Sequence, residues 1–280
     1  MNPVTVITLS TLRLECLTSI GNSVGTGFLF GFDCGNDRSA ISIITNKHVI
    51  RDAQTMKVTF SLLPKGENDI QDNLLTPLVE HRTITMNNLQ ALKIDHYDPD
   101  IDLCAFNVSW LFNQLTENNS LRHTILNEKW LPDENQKSIF RSIEPIVMIG
   151  YPNGLWDRTN NLPIARSGLT GSHPLLNWND RREFVIDAAC FPGSSGSPVF
   201  HFQDGMYRAN YNSYSPGTSI CLLGILWGSP TISVQGVITQ REVPTSMENI
   251  PVMNAMMNLG FAIRFDALGD IKAKILERIR

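Results

Sequence analysis

Hydrophobic and polar residues alternate in short runs along most of the chain, which is the pattern of half-buried β-strands. β-branched and aromatic residues dominate these runs, and Gly, Pro, Asn and Asp separate them. The runs are VTVITLS, GTGFLFGF, AISIIT, MKVTFSLL, HRTITM, LCAFNV, EPIVMIGY, EFVIDAA, SPVFHF, CLLGILWG and ISVQGVIT. Their number and spacing predict an all-β sandwich or barrel rather than a series of βαβ units.

Two stretches have apolar residues at helical spacing instead. The first spans about residues 110–130, between two strand-rich halves, and the second is the C-terminal DALGDIKAKILERIR. In the second stretch Leu268, Ile271, Ile275 and Ile279 fall near one helical face. The predicted layout is an N-terminal β-barrel at 1–112, a connector at 113–140, a C-terminal β-barrel at 141–266 and a helix at 267–280.

The composition narrows the possible partners. Over 280 residues, 42% are hydrophobic and 18% are charged, as in an ordinary soluble globular protein. The net charge of −4 gives no basic footprint for nucleic acid. Because no apolar run approaches the roughly 18 residues that span a bilayer, we expect neither a nucleic acid nor a membrane as partner.

The N-terminus and the cysteines indicate the compartment. The opening MNPVTVITLSTLRLECL lacks a basic region and has polar residues among its apolar ones, unlike a secretory signal. The five cysteines are an odd number without a C-x-x-C pair, which argues against a disulfide framework and against a zinc site. We therefore expect a reduced, cytoplasmic protein with neither a metal nor a cofactor.

Three polar residues next to apolar runs form a candidate catalytic set. Ser195 lies in the turn CFPGSSGSPVF, His48 ends the run AISIITNKHVI, and Asp102 directly precedes LCAF. A serine hydroxyl is a weak nucleophile near neutral pH, so it needs a base, and the base needs an orienting partner. Taken singly, each residue is explained as well by a surface turn or a strand end. Their order along the chain excludes an α/β-hydrolase, in which the serine comes first and the histidine last.

Taken together, ITNKHVI, DLCAF and GSSGSPVF resemble the three catalytic boxes of the trypsin-like (chymotrypsin-fold) serine endopeptidases. Within that family, DAACFPGSSGSPV resembles the bacterial Deg, or high-temperature-requirement, proteases, and GSPVF and GILWG resemble the glutamyl endopeptidases. IARSGLTGS and NLGFAIRF resemble Deg strands, so the likeness runs from about residue 21 to 265. It implies two six-stranded antiparallel Greek-key β-barrels with a connector helix and a C-terminal helix. The few residues after 265 lead us to expect no PDZ domain.

The resemblance also assigns the site. It implies a triad of His48, Asp102 and Ser195 that hydrolyses peptide bonds of a protein or peptide through an acyl-enzyme. The other implied positions are the oxyanion-hole amides of Gly193 and Ser195, the pocket floor at Ala189 and the pocket wall at Leu226, Trp227 and Gly228. A catalytically silent binding module and an esterase-type acyl hydrolase on the same triad are the alternatives, because the fold and the triad serve more than one function.

Two departures from the family pattern lead to further expectations. Ser194 stands where relatives carry Asp or Asn, and in secreted relatives an acid there captures a newly cut N-terminus. We therefore expect activation by loops around 153–180 or by a regulatory partner, not by N-terminal cleavage. The floor at Ala189 carries no charge and Leu226 replaces the histidine of the glutamyl endopeptidases. A small or aliphatic residue is thus predicted at P1, the substrate position before the scissile bond.

Overall fold

Two antiparallel β halves, each with its own buried core, make up the fold. The computed structural model describes residues 2–19, 21–63, 78, 80–115, 120–235 and 252–279. The strands of the N-terminal half are β1 (Thr11–Thr18), β2 (Gly21–Asp33), β3 (Ser39–Thr45), β4 (Ala53–Leu63), β5 (Glu80–Asn87), β6 (Lys93–Asp95), β7 (Cys104–Asn107), β8 (Ser120–Leu121) and β9 (Leu126–Asn127). The strands that follow are β10 (Pro145–Gly150), β11 (Ile164–Thr170), β12 (Glu183–Asp187), β13 (Pro198–Gln203), β14 (Met206–Asn210), β15 (Ser213–Pro216), β16 (Ser219–Gly228), β17 (Thr231–Gln235), β18 (Val252–Met256) and β19 (Leu259–Arg264).

Helices are short except at the C-terminus. They are α1 (Pro3–Leu9), α2 (Leu89–Leu92), α3 (Ser109–Leu115), α4 (Glu134–Ile139) and α5 (Ala267–Ile279), with 3₁₀ turns at His48–Ile50, Glu128–Trp130 and Pro152–Gly154. Helix α5 confirms the predicted C-terminal helix. Of the predicted strand ISVQGVIT, residues 232–235 lie in β17, and the remaining four fall outside the described residues.

The C-terminal half contains the predicted six-stranded barrel. Its strands close in the order β10-β11-β12-β19-β16-β13. The alternation in the sequence turns apolar side chains inward, where Phe184, Ile186, Val199 and Leu223 form the barrel core. The turn that carries Ser195, here called the nucleophile turn (residues 190–197), directly precedes β13. Because β13 belongs to the closed barrel, the barrel wall fixes the position of this turn.

The N-terminal half is a nine-stranded sheet, more than the six strands predicted. Its main path runs β5-β4-β1-β2-β3-β7-β6, with β8 paired to β4 and β9 paired to β2. Leu14, Met56, Phe60 and Phe106 are among the residues of its core. Two of the three extra strands, β8 and β9, come from the predicted connector.

A third apolar cluster joins the two halves. It combines Phe28 and Phe30 of β2, Ile225 of β16, and Leu268 and Ile271 of α5. Burying a Leu, Ile or Phe side chain contributes about 1.5–3 kcal/mol each. The cluster therefore holds the two halves, and the cleft between them, in one arrangement.

The prediction of a first strand at VTVITLS is wrong, because α1 covers Pro3–Leu9. Asn2 caps this helix by accepting the Val4 N–H at 2.9 Å, and Pro3 occupies its first turn. Both are helix-start residues. Ile7 of α1 packs into the cluster between the halves. In this seven-residue segment, the helix-start residues therefore outweigh the alternation of apolar and polar residues that predicted a strand.

The predicted connector helix is wrong over 120–127, and residues 116–119 fall outside the described residues. Helix α3 ends at Leu115, and the described chain continues in strands. Leu121 pairs with Leu62 of β4, and Leu126 pairs with Phe30 of β2. These pairings place both leucines in buried positions. Tertiary contacts with the sheet thus override the local helical pattern.

Candidate active site

His48 begins a 3₁₀ turn directly after β3. The turn packs on β2 at Gly25, where a Cβ atom would lie 2.4 Å from Val49 Cγ1. Only a glycine fits at that contact. The side chain of His48 is 36% exposed, which leaves the ring accessible from the cleft.

Asp102 holds His48 by its backbone and by its ring. The His48 N–H donates to Asp102 Oδ1 at 3.0 Å, and the ring Nδ1 contacts Asp102 Oδ2. Asn46, which is fully buried, donates from Nδ2 to the Asp102 carbonyl at 2.8 Å. With Nδ1 carrying a proton toward the carboxylate, Nε2 is left as the basic nitrogen.

Ser195 lies in a turn that both halves hold. From the N-terminal half, the Thr26 N–H donates to the Ser195 carbonyl at 2.9 Å. From the C-terminal half, the Gly196 N–H donates to the Leu226 carbonyl at 2.8 Å. Strand β2, which carries Thr26, pairs with β3, which leads to His48. The turn with Ser195 therefore packs against the strand pair that leads to His48.

No hydrogen bond joins His48 to Ser195 among the described residues. The structure thus pairs His48 with Asp102, while the place of Ser195 in the triad stays a prediction. In unliganded hydrolases the contact between base and nucleophile is often long and tightens when substrate binds.

Gly196 has to be a glycine. Its φ is +87°, and a Cβ would lie 1.9 Å from the Thr26 carbonyl oxygen and 2.7 Å from Thr45 Oγ1. This close approach brings the residue after Ser195 against the end of β3, three positions before His48. The contact between the halves at the nucleophile depends on it.

Gly196→Ala is expected to destabilise the protein more than Gly35→Ala. Both residues have a positive φ, but only at Gly196 would the added Cβ lie against neighbouring atoms. Gly35 has a φ of +77° and nothing within 4 Å of its Cβ position. Both alanines meet the left-handed penalty of about 1–2 kcal/mol. Only Gly196→Ala adds overpacking, typically about 1–3 kcal/mol. Urea unfolding of both variants measures the difference, and equal losses would contradict the contact.

The two predicted oxyanion-hole N–H groups are unpaired among the described residues. Within the described parts of the chain, the N–H groups of Gly193 and Ser195 have no internal acceptor, while those of Ser194 and Gly196 both have one. Gly193 has a φ of +87°, and its carbonyl accepts Thr26 Oγ1 at 2.8 Å. Two fixed, unpaired amides beside a serine hydroxyl suit a developing oxyanion.

The predicted pocket residues divide into two groups. Ala189, Trp227 and Gly228 are partly exposed beside the nucleophile turn. Leu226 is only 2% exposed and packs in the barrel core, and its place in the pocket wall stays a prediction. Its backbone bonds to Gly196 and Ser197.

Trp227 is held by neighbours on the second half. Its Nε1 donates to Glu183 Oε2 at 2.7 Å, and its ring stacks on Phe261 at 6.0 Å. Burial raises the pKa of Glu183, while the Trp227 hydrogen bond lowers it in part. A cavity of about 490 Å³ extends from Trp227 to Asp102 across the two halves.

Most of the chain matches a known peptidase family. Residues 25–207, more than half of the chain, match the family described as trypsin-like peptidase domain, and this range includes the three triad positions. The chain belongs to the trypsin-like peptidases. The resemblance stated from the sequence is thereby confirmed.

Solved structures of proteases are similar in fold to this peptidase. The HtrA-type protease AlgW with tripeptide is 15% identical with a TM-score of 0.50, over 99% of this chain and 63% of that one. The serine endoprotease from Yersinia pestis is also 15% identical with a TM-score of 0.50, over 99% and 66%. The peptidase thus spans less than two thirds of each of these chains. No curated protein matches it.

One residue of the peptidase site escaped the sequence reasoning. Arg166 of β11 donates from Nη1 to the Ala189 carbonyl, and its guanidinium lies 4.7 Å above the Phe191 ring. The floor predicted to be uncharged therefore has an arginine beside it. In the sequence, IARSGLTGS resembles a strand of the family, and nothing in it marks Arg166 as a neighbour of Ala189.

Cys190 is the other reactive residue type in the turn region. Its side chain is 2% exposed, and burial raises the pKa of the thiol to about 11. A buried thiol that stays protonated is a poor nucleophile. Ser195 is partly exposed, so of these two residues it is the better candidate nucleophile.

Proposed function

We propose that this trypsin-like peptidase is a serine endopeptidase in which Ser195 is the nucleophile, His48 the general base and Asp102 the group that orients His48. The observation that carries the proposal is the His48–Asp102 pair, bonded through both the ring and the backbone N–H, at the cleft that Ser195 faces. The amides of Gly193 and Ser195 form the oxyanion hole.

The proposed reaction uses these groups in two steps. Ser195 Oγ attacks the scissile carbonyl carbon while His48 Nε2 takes the hydroxyl proton, and the two amides stabilise the oxyanion. Collapse breaks the C–N bond, and His48 gives its proton to the leaving amine. Water then attacks the acyl-enzyme, His48 takes a proton from it, and the acid product leaves as Ser195 regains its hydrogen.

Activation is proposed to act through the nucleophile turn. Ser194 Oγ is buried and has no hydrogen-bond partner in the described part of the chain, and a serine has no charge with which to capture an N-terminal ammonium. The Asn153 N–H donates to the Pro192 carbonyl at 2.6 Å. A partner that binds at 152–162 would therefore act on the residue next to Gly193.

The proposed substrate is a protein or peptide, and the proposed location is the cytoplasm. Among the described residues the cysteines are free thiols, which suits a reducing compartment. No helix there is long and apolar enough to cross a membrane. The aliphatic P1 preference predicted from the sequence remains untested, and Arg166 beside Ala189 removes its premise.

Digestion of an unfolded protein, with the products identified by mass spectrometry, tests the proposal. We expect internal cuts by the purified chain, alone or with an activating partner, and none by Ser195→Ala. A p-nitrophenyl ester run in parallel serves as the comparison. Rapid ester turnover without peptide cleavage would favour the acyl-hydrolase alternative, and no turnover of either would favour the silent binding module.

A further inference from the structure

Arg166 occupies an inward-facing position of the second barrel. Along β11, Arg166, Gly168 and Thr170 share one face. Thr170 is buried, and a Cβ at Gly168 would lie 2.2 Å from the Asp187 carbonyl oxygen. The face therefore points at the segment that follows β12, and the long side chain of Arg166 reaches its Ala189 carbonyl.

The guanidinium is partly buried without an acid. The side chains of Arg182, Arg208 and Arg264 each contact a carboxylate. No carboxylate of the described residues lies within 4.0 Å of Arg166, and one of its five N–H donors bonds to a carbonyl. Burial lowers the pKa of Arg166, as expected for a charge that lacks a partner.

Two segments that carry predicted pocket residues pack against each other near this charge. A Cβ at Gly260 would lie 2.6 Å from Cys190 Sγ and 2.7 Å from Leu226 Cδ1, so the segments that carry these two residues meet at Gly260. One segment leads to Ser195, and the other ends β16 at Trp227 and Gly228. The predicted pocket positions Ala189, Trp227 and Gly228 adjoin these segments, so the inference places the P1 side chain beside them.

The acids closest to this region are engaged elsewhere or exposed. Glu183 accepts the Trp227 Nε1 hydrogen bond. Asp187 is the exposed last residue of β12. Among the described residues, four of the five guanidinium N–H donors of Arg166 therefore have no acceptor. An arginine fork matches a carboxylate with two parallel hydrogen bonds, a geometry that lysine does not offer.

We propose that Arg166 binds the P1 side chain and that the enzyme cleaves after glutamate or aspartate. This rests on the proposed endopeptidase function and names its substrate class. An acidic P1 residue supplies the carboxylate that the fold does not, whereas a Lys or Arg there meets a like charge. The aliphatic preference predicted from Ala189, Leu226 and Trp227 is replaced.

The test is a set of peptides that differ only at P1, carrying Glu, Gln, Leu or Lys. For the wild-type chain we expect kcat/KM for Glu to exceed that for Gln by about 30-fold or more, the lower range for a desolvated charge pair. Arg166→Met keeps length and apolar bulk, so it should lose this ratio while Leu cleavage persists. Arg166→Lys should retain part of it.

Arg181→Met is the matched control, because Arg181 is an exposed guanidinium 5.7 Å from the Trp227 ring on the other side of the site. It should leave the Glu-to-Gln ratio unchanged. Preference of the wild type for Leu or Lys, or an unchanged ratio in Arg166→Met, would overturn the inference alone. If Arg166→Met does not fold, the wild-type ratio and Arg166→Lys decide it. Failure of a fluorophosphonate, which needs no P1 side chain, to label the wild type would overturn the proposed function as well.

Discussion

Ser195→Ala should lower peptide turnover by about 10⁶-fold, to the level at which only binding and the oxyanion hole act. The hydroxyl is the attacking group, and the backbone that holds it uses only its carbonyl and the neighbouring amides. Alanine keeps those backbone bonds. The melting temperature should therefore stay near that of the wild type while kcat/KM for a cleaved peptide collapses.

Ser194→Ala is the matched control for this variant. Ser194 is the neighbouring residue, and its buried hydroxyl has no hydrogen-bond partner among the residues described. Its removal should leave turnover close to the wild-type value. If Ser194→Ala is inactive and Ser195→Ala is active, the nucleophile has been assigned to the wrong serine.

Asp102→Asn should lower turnover by about 10⁴-fold through the histidine it orients. Asparagine has one acceptor oxygen where aspartate has two. With that oxygen on the His48 backbone N–H, the amide NH₂ faces Nδ1, so the ring would present the wrong tautomer to Ser195. The backbone bond from His48 can still reach the side-chain oxygen. The fold should survive, and kcat should fall with little change in KM.

Asp100→Asn provides the comparison on the same segment. Asp100 is exposed, and its N–H bonds to Asp98 rather than to the His48 region. We expect near-normal kcat from this variant. A large loss in Asp100→Asn with none in Asp102→Asn would mean that the orienting carboxylate is the other one.

The triad could be proposed from the sequence because each of its residues has a local signature. His48 ends an apolar strand, Asp102 begins one, and Ser195 lies in a turn that glycine at 196 makes possible. The C-terminal helix was predictable for the same reason, since Leu268, Ile271 and Ile275 repeat at helical spacing and all are buried. Local pattern and tertiary role agree at these positions.

The errors arose where distant contacts decide the structure. Leu121 and Leu126 belong to strands because β4 and β2 offer them partners. Arg166 contacts Ala189 across the barrel, 23 positions along the chain, and no local pattern marks that contact.

Covalent labelling of the purified wild-type chain with a fluorophosphonate, mapped by peptide mass spectrometry, tests the central claim most directly. The reagent bonds to the serine oxygen only when a base activates it and the oxyanion hole accepts the phosphoryl oxygen. We predict one adduct, on Ser195, that Ser195→Ala abolishes and that His48→Ala slows severely. An adduct on another residue, or equal labelling of wild type and Ser195→Ala, would contradict the account.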